Sequence, residues 1–373
     1  MSVGGHRDTL CVTHHGLHKP PTEKKMPHQQ SVARRYLVTL GLILATLAVT
    51  SVVACCGGSG ATVVVYTSLD QLYSEPILND FEAETGIKVK AVYDVEAAKT
   101  TGLVNRLIAE RGRPQADVFW SSEYAQTIML KDEGVLAPYD SPSAADIPEE
   151  YRDPEDYWTG FAARARIIMV NTDLVAEEDY PESIFDLLDP RWGDNEVGIA
   201  NPLFGTTATH AAALYADLGE DEAQAYFEGL LDQNVRVVDG NSVVRDMVVS
   251  GELKVGLTDT DDAHIAVAQN QPVEIIFPDQ NDLGTLLIPN TVAMVNGAPH
   301  PEEAKRLIDY LLSPEVEARL AASESVQMPV REGVAGPVDM PGLSEILGMD
   351  VHPNDVAAQM TVSLEWLKEV FLK

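Results

Sequence analysis

Hydroxyl, amide and carboxylate side chains lie at six points of the sequence where a strand-like run is followed by a helix-like run. In open α/β sheets, ligands bind at the carboxyl ends of strands, where helix N-termini present free N–H groups and a partial positive charge. Since Ser, Thr, Asp and Asn also cap helices, any one of these residues alone is explained as a cap. We expect the set to converge on one cleft and to bind a ligand there through Ser68, Asp70, Ser121, Ser122, Thr206, Thr207, Asn241, Asp259 and Thr260.

The best single candidate for an anion site is the sequence Gly-Thr-Thr at residues 205–207. Glycine permits close approach of the backbone to a ligand, and a helix N-terminus adds about 0.3–1 kcal/mol to the binding of an anion. The basic residues Lys99, Arg164 and Arg166 also suit a carboxylate or a phosphonate. The alternative for these three is ordinary salt bridging on an acidic protein.

Residues 259–262 carry three carboxylates, those of Asp259, Asp261 and Asp262. This density of oxygen ligands suits a hard cation or an ammonium group. It is not an EF-hand loop, because no glycine stands at the sixth position. A solvated acidic turn is the alternative interpretation.

Sequence motifs of common enzymes are absent, among them G-x-S-x-G, G-x-x-x-x-G-K-[ST], H-E-x-x-H and G-x-G-x-x-G. After residue 54 the histidines are His210, His264, His300 and His352, and no spacing of Asp, His and Ser selects a catalytic triad. We therefore predict no catalytic residue and no catalytic cofactor. An exported α/β hydrolase is the alternative, and it would require a nucleophile with a base within hydrogen-bond reach.

The elements that position these residues alternate between strand and helix. β-rich runs predict strands at 62–66, 87–93 and 116–120, and apolar residues at helical spacing predict helices at 71–84, 100–110 and 123–132. Three successive strand–helix units indicate a parallel sheet with helices on both faces. Connections of this kind are right-handed in nearly all proteins.

A second series follows a proline-rich, acidic stretch at residues 138–158 that we expect on the surface. Strands are predicted at 166–171, 197–200, 235–238, 255–258 and 273–277, with helices at 207–218, 222–231 and 242–250 and a short helix from Asp262. Residues 286–295 and a helix at 301–312 are predicted to return to the first lobe. The sequence therefore predicts an α/β protein with two doubly wound lobes.

The first 54 residues have the features of an export signal. An uncharged apolar run at 36–54 follows two arginines and precedes cysteine, glycine and serine. Residues 52–55 (VVAC) resemble a bacterial lipobox, in which the cysteine, here Cys55, is diacylated and begins the mature chain. We predict a signal peptide at 1–54, a tether at 55–61, and a protein of the periplasm or cell envelope that is lipid-anchored to a membrane. An uncleaved membrane anchor, a start at Met26 and twin-arginine export remain open.

The composition excludes several classes of protein. With 26 basic and 58 acidic residues the net charge is −32, which argues against a nucleic-acid partner, and 45% hydrophobic residues are too many for a disordered acidic polymer. Without the first 54 residues the chain keeps 20 basic and 56 acidic residues, a net charge of −36 over 319 residues. That length corresponds to about two domains and needs no disulfide to fold.

Four segments resemble substrate-binding proteins of bacterial ABC importers, in the ferric-iron-binding branch with transferrin-like architecture. They are VVVYTSLDQLYSEPILNDFEAETGIKVKAVY (63–93), PQADVFWSSE (114–123), VGLTDTDD (255–262) and HPEEAKRLIDYLLSPE (300–315), and the resemblance covers about residues 63–330. It implies the type II periplasmic binding protein fold, with crossing hinge strands between a first lobe at 62–165 plus 286–345 and a second lobe at 166–285 plus 346–373. It also implies an ABC permease in the inner membrane as partner, and no enzymatic activity.

The same resemblance implies a set of metal ligands. In the iron binders a histidine commonly follows the first strand, a glutamate follows the third, and the second lobe provides two adjacent tyrosines. Here Asp70 and Glu123 stand near the first two positions, and residues 258–262 replace the tyrosine pair. The predicted metal ligands are therefore Asp70, Glu123, Asp259 and Asp261, with an anion at residues 205–207. The predicted cargo is iron(III) or a related metal, alone or with a synergistic anion; the alternative is a small organic anion or zwitterion such as a phosphonate, a carboxylate or an amino acid.

Overall fold

The computed structural model describes residues 60–94 and 100–372. The predicted signal peptide, Cys55, most of the tether and Lys99 lie outside the described residues. The described strands form one hydrogen-bonded network. They are β1 (Thr62–Thr67), β2 (Lys88–Tyr93), β3 (Val118–Ser121), β4 (Leu136–Ala137), β5 (Thr159–Asn171), β6 (Val197–Ala200), β7 (Arg236–Val238), β8 (Val255–Asp259), β9 (Val273–Ile276) and β10 (Leu287–Val295).

The α-helices of the described residues follow the strands in alternation through most of the chain. They are α1 (Gln71–Thr85), α2 (Thr101–Glu110), α3 (Ala125–Asp132), α4 (Gly205–Leu218), α5 (Glu220–Asp232), α6 (Asn241–Ser250), α7 (Thr260–Ala268), α8 (Pro301–Leu311), α9 (Pro314–Ala322) and α10 (Pro353–Phe371).

The first lobe is built on the parallel strands β2, β1 and β3, in that order. Strand β10 continues this sheet antiparallel to β3 and also pairs with the short β4. Val63 and Val65 of β1 are buried, and they pack with Ile77 and Phe81 of α1 in one apolar core. The predicted parallel sheet with α1 and α2 between its strands is confirmed.

The second lobe repeats this arrangement with β8, β6 and β7, which are parallel. Strands β8 and β9 pair antiparallel with the second half of β5. Apolar residues of β6 and β8, such as Ile199 and Leu257, pack in a core with Tyr226 and Phe227 of α5. The predicted α/β fold with two lobes is confirmed, while the predicted lobe boundaries stay a prediction.

Strand β5 joins the two lobes. Its first half pairs with β10, from Thr159 to Ala165, and its second half pairs with β8 and β9, from Arg166 to Asn171. All 13 of its residues are buried. The prediction of a strand at 166–171 was therefore too short, because the sequence TGFAARA at 159–165 is poor in the β-branched residues that signal a strand.

Other differences concern the segments flanking the strands. Helix α4 begins at Gly205 instead of residue 207, and α3 begins at Ala125 instead of residue 123. The stretch 138–158, predicted on the surface, buries Ala144, Ile147 and Trp158, because these apolar side chains pack against the first-lobe helices and strands.

Helices α9 and α10 were not predicted. Helix α10 packs against both α3 and α4, and it buries Val356 and Met360 in a core that also holds Ala208 and Ala212 of α4. Among the described residues, no helix combines the length and the apolar character needed to cross a membrane.

Candidate functional site

A small cavity of about 20 Å³ lies where residues of both lobes meet the crossing strand β5. The first lobe contributes Ser122, β5 contributes Arg164, and the remaining lining residues come from the second lobe. Of the predicted ligand-binding residues, the cavity is lined by Ser122, Thr206, Thr207, Asn241 and Asp259. The predicted convergence of strand ends from two lobes is therefore observed for these five residues.

Helix α4 directs its N-terminus at this cavity. Its first three residues, Gly205, Thr206 and Thr207, all line the cavity, as does the N-cap residue Phe204. The side chain of Phe204 has no hydrogen-bond acceptor and cannot cap the helix. The N–H groups of the first turn are therefore left for another acceptor. Gly205 has φ 55°, in the left-handed region that favours glycine. This terminus has the chemistry of an anion site.

Arg166 on β5 and Asp259 at the end of β8 form an ion pair inside the site. Arg166 Nη1 lies 2.6 Å from Asp259 Oδ1, and both side chains are almost fully buried. The other carboxylate oxygen, Asp259 Oδ2, accepts hydrogen bonds from Thr206 Oγ1 at 2.6 Å and from Asn241 Nδ2 at 2.9 Å. Thr206 and Asn241 therefore hold the carboxylate while they also face the cavity.

Arg164 is paired in a similar way two residues earlier on β5. Its Nη1 lies 3.0 Å from Asp261 Oδ2, and its Nη2 donates to Asn290 Oδ1 at 3.3 Å. The Nε atom of Arg164, and Nε and Nη2 of Arg166, are buried and have no hydrogen-bond partner among the described residues. A buried donor without an acceptor costs about 1–3 kcal/mol or more when it is charged. Of the two arginines, Arg164 lines the cavity, and its guanidinium is therefore the one placed to bind a further oxygen acceptor there.

The three carboxylates predicted to suit a cation lie together. One oxygen from each of Asp259, Asp261 and Asp262 falls within a group no more than 4.8 Å across. Each carboxylate also has a guanidinium neighbour. Asp259 pairs with Arg166, and Asp261 pairs with Arg164. Asp262 Oδ1 accepts from Arg245 Nη1 at 3.3 Å. A metal ion at this cluster would share its ligands with three arginines.

The first lobe meets the cavity through a hydroxyl network. Ser122 Oγ lies 3.2 Å from Ser68 Oγ and 3.5 Å from Thr100 Oγ1, and Ser122 N donates to Ser68 Oγ at 2.9 Å. Ser121 Oγ accepts from the backbone of Glu123 at 3.3 Å. Thr100 was not among the predicted ligand-binding residues, although it carries a hydroxyl directly before α2, as Thr206 and Thr207 do at the start of α4.

Glu123 directly follows Ser122 in the chain and is fully buried. Its carboxylate accepts from Thr209 Oγ1 of α4 at 2.9 Å and from the backbone N–H of Gln126 at 3.1 Å. Burial raises the pKa of Glu123 to about 7, although the hydrogen bonds from Thr209 and from backbone N–H groups oppose this shift. Glu123 thus connects the first lobe to α4 through one hydrogen bond.

Four of the predicted ligand-binding residues lie outside the cavity lining, namely Ser68 and Ser121 of the hydroxyl network, Thr260 and Asp70. Thr260 Oγ1 accepts from Ala165 N of β5 at 3.2 Å, which ties the start of α7 to the crossing strand. Asp70 lines a neighbouring groove together with Tyr73, Arg245 and Asp262. Burial raises the pKa of Tyr73, and the charges of Asp261, Asp262 and Asp70 add to this effect. Negative charge is therefore concentrated where the groove adjoins the cavity.

The amino-acid sequence is similar to those of several solute-binding and iron-uptake proteins. The model of the family described as bacterial extracellular solute-binding protein matches residues 114–345. Iron uptake protein A1 of Synechocystis sp. is 29% identical over 82% of this chain and 89% of its own length. A putative 2-aminoethylphosphonate-binding periplasmic protein of Salmonella typhimurium is 28% identical over 78% of this chain and 85% of its own length. The crystal structure of iron-bound HitA from Pseudomonas aeruginosa superposes with a TM-score of 0.75 at 23% identity, over 82% of this chain and 99% of that chain.

Proposed function

Because this chain belongs to the bacterial extracellular solute-binding protein family, we propose that it is the extracytoplasmic binding component of an ABC importer. It captures a small solute between its lobes and passes it, chemically unchanged, to a permease in the inner membrane. Residues 1–54 serve as the export signal and Cys55 carries the lipid anchor. The first lobe spans 62–165 plus 286–345, and the second spans 166–285 plus 346–373.

The solute carries an oxyanion group, and the observation that carries this proposal is the set of buried guanidinium donors at the cavity. Arg164 lines the cavity, and its Nε has no partner among the described residues. The N-terminus of α4 adds free N–H groups at residues 205–207. Two independent sets of hydrogen-bond donors therefore lie at one small space, and an oxyanion satisfies both.

In the first form of this proposal the oxyanion arrives together with iron(III). The name of Iron uptake protein A1 supports iron as cargo. The anion binds Arg164 and α4, and carboxylates from the set Asp70, Glu123, Asp259 and Asp261 provide hard oxygen ligands to the metal. The clustering of Asp259 and Asp261 oxygen atoms supports this role for two of them.

In the second form the oxyanion itself is the cargo, as an organic anion or a zwitterion. The specific observation in its favour is that Asp259 and Asp261 already pair with Arg166 and Arg164, so that a metal ion would compete with two buried guanidinium groups. The relative named for 2-aminoethylphosphonate supports this class of ligand. The acidic groove around Asp70 and Asp262 then receives the ammonium group.

Isothermal titration calorimetry distinguishes the two forms. The purified protein is titrated with iron(III) citrate, with inorganic phosphate and with 2-aminoethylphosphonate, each with and without a chelator for iron. Binding that requires iron supports the first form, and binding of the phosphonate in the presence of chelator supports the second. Failure of all three probes to bind, together with tight binding of an uncharged solute such as a sugar, would refute the oxyanion proposal.

A further inference from the structure

Asn290 lies at an irregular point of the two crossing strands. The antiparallel register of β10 and β5 shifts between Pro289 and Asn290, so that Ala162 has no partner on the opposite strand. Ala162 has φ 46°, an unfavourable value for a residue with a Cβ atom. Asn290 and Ala162 are completely buried. The bulge is therefore a strained feature at the point where the chain passes between the lobes.

The side chain of Asn290 connects this bulge to the binding cavity. Its Nδ2 donates to the carbonyl oxygen of Ala162 and to Gln327 Oε1, the latter at 2.7 Å. Its Oδ1 accepts from Arg164 Nη2 at 3.3 Å. The donor side of one amide thus holds the bulge, while its acceptor side holds a guanidinium that lines the cavity.

Other groups stabilise the bulge without contact to Arg164. Glu317 Oε1 accepts from the backbone N–H groups of Ala162 and Val330, at 2.9 and 3.0 Å. The backbone of Ala163 exchanges two hydrogen bonds with Met328, each 2.7 Å long. Since the backbone is already held from this side, the contact between Asn290 and Arg164 is not needed to form the bulge.

Within the described ranges, two hydrogen-bonding contacts orient the guanidinium of Arg164. Asp261 binds Nη1 and Asn290 binds Nη2, and the two partners come from different parts of the chain. A guanidinium is a planar fork, and two contacts on separate nitrogens fix the direction in which the Nε edge points. Removing the contact at Nη2 leaves the ion pair with Asp261 to set the orientation of the guanidinium.

We infer that Asn290 is a positioning residue for solute binding, which orients the guanidinium of Arg164 at the wall of the cavity. This inference rests on the proposed role of Arg164 in binding an oxyanion. Asn290 itself is not expected to touch the solute. A variant that loses the amide should therefore bind oxyanions more weakly, and only as long as Arg164 is present to be oriented.

A double-mutant cycle tests this inference with inorganic phosphate and 2-aminoethylphosphonate as probes, measured by calorimetry. Asn290→Leu removes both the donor and the acceptor at similar volume. Arg164→Lys keeps the charge next to Asp261 and loses the fork that reaches Asn290. Gln327→Met is the matched control, because Gln327 accepts from the donor side of Asn290, and no hydrogen bond joins it to Arg164 among the described residues.

We expect Asn290→Leu to weaken binding about 10-fold in the natural sequence and less than about 2-fold in the Arg164→Lys background. Gln327→Met should lower the melting temperature and change affinity less than about 2-fold. Equal losses from Asn290→Leu in both backgrounds, or an equal loss from Gln327→Met, would show that Asn290 acts only through the bulge and would overturn the inference.

A second variant and the binding of the unaltered protein complete the test. If Asn290→Leu does not fold, Asn290→Ser provides the same cycle with a hydroxyl retained at the bulge. If the unaltered protein binds neither of these probes nor iron(III) citrate, and binds an uncharged solute such as a sugar tightly, the oxyanion proposal fails and this inference fails with it. If the unaltered protein binds a probe and the cycle shows no coupling, the inference alone fails.

Discussion

Arg166 and Asp259 form a buried ion pair of 2.6 Å between the crossing strand and the tip of a second-lobe strand. Thr206 and Asn241 donate to the same carboxylate, so that four side chains from β5, α4, α6 and β8 make one network. Such a pair needs additional hydrogen bonds to offset the cost of burying two charges. The network therefore fixes the second-lobe wall of the cavity before any solute binds.

Breaking this pair should destabilise the protein strongly. Asp259→Asn leaves the Arg166 guanidinium buried without its counter-ion, and we expect the free energy of unfolding to fall by about 3 kcal/mol or more. Urea denaturation followed by circular dichroism measures the change. Glu252→Gln is the control, because its pair with Arg236 is largely exposed and should contribute less than about 0.5 kcal/mol. Similar losses in the two variants would contradict this assignment.

Sequence patterns predicted the alternating elements because their apolar spacing is local. Strands β1, β6 and β8 and helices α1, α2 and α6 need only a short run of sequence to be recognised. The first half of β5 and the helix α10 were missed, because both are defined by packing against distant elements. Tertiary contacts, which periodicity does not encode, decide such segments.

The site shows the same division between local and distant information. Hydroxyl, amide and carboxylate side chains after strands predicted five of the cavity-lining residues. The partners of those residues were not predictable, because Arg166 and Asp259 are 93 residues apart and Arg164 and Asn290 are 126 residues apart. The sequence revealed the arginines as charges, but not which carboxylate each one neutralises.

The hydroxyl of Thr207 should contribute to solute binding. Thr207→Val keeps the shape of the side chain and removes one polar group that lines the cavity. We expect affinity for the bound oxyanion to fall about 5-fold, which corresponds to one hydrogen bond of about 1 kcal/mol. The control is Thr209→Val on the same helix, whose hydroxyl donates to Glu123 instead. A larger loss of affinity in the Thr209 variant would argue against the role of Thr207.

Gly205 should be needed for the geometry at the start of α4. With φ 55°, a Cβ atom at this position costs about 1–2 kcal/mol. Gly205→Ala should therefore lower the free energy of unfolding by about 1 kcal/mol and weaken oxyanion binding. Gly112→Ala serves as control, because a Cβ atom there meets nothing within 4 Å and its φ is ordinary. Equal stability of the Gly205→Ala and unaltered proteins in thermal unfolding would refute the prediction.

Glu123 should make stability depend on pH. Because its pKa is raised from 4.5 to about 7 in the folded state, the folded protein binds a proton more tightly than the unfolded chain does. The resulting stabilisation is fully present below pH 4.5 and is lost as pH rises through 7. Relative to Glu123→Gln, the unaltered protein should therefore lose about 3 kcal/mol of stability between pH 4.5 and pH 8.

The quantity to measure is the difference in free energy of unfolding between the unaltered protein and Glu123→Gln, determined by urea denaturation at each pH. Burial, together with the charge of Arg166, lowers the pKa of His210 to about 3, and this group changes stability in the opposite direction over an overlapping range. Taking the difference removes its effect. Glu228→Gln, at an exposed position of α5, serves as control, and its unfolding free energy should depend on pH in the same way as that of the unaltered protein. If the unfolding free energy of Glu123→Gln also depends on pH in this way, the carboxyl group of Glu123 is not protonated near neutral pH.

Native mass spectrometry of the protein purified without chelator tests the central claim most directly, because it identifies the solute that the cleft retains. We predict a bound species that carries an oxyanion group, as a phosphonate, phosphate or carboxylate, either alone or together with one iron ion. Protein carrying Arg164→Lys should retain a smaller fraction of this species. A bound neutral sugar, or a bound cation with no oxyanion, would contradict the proposal that the solute carries an oxyanion group.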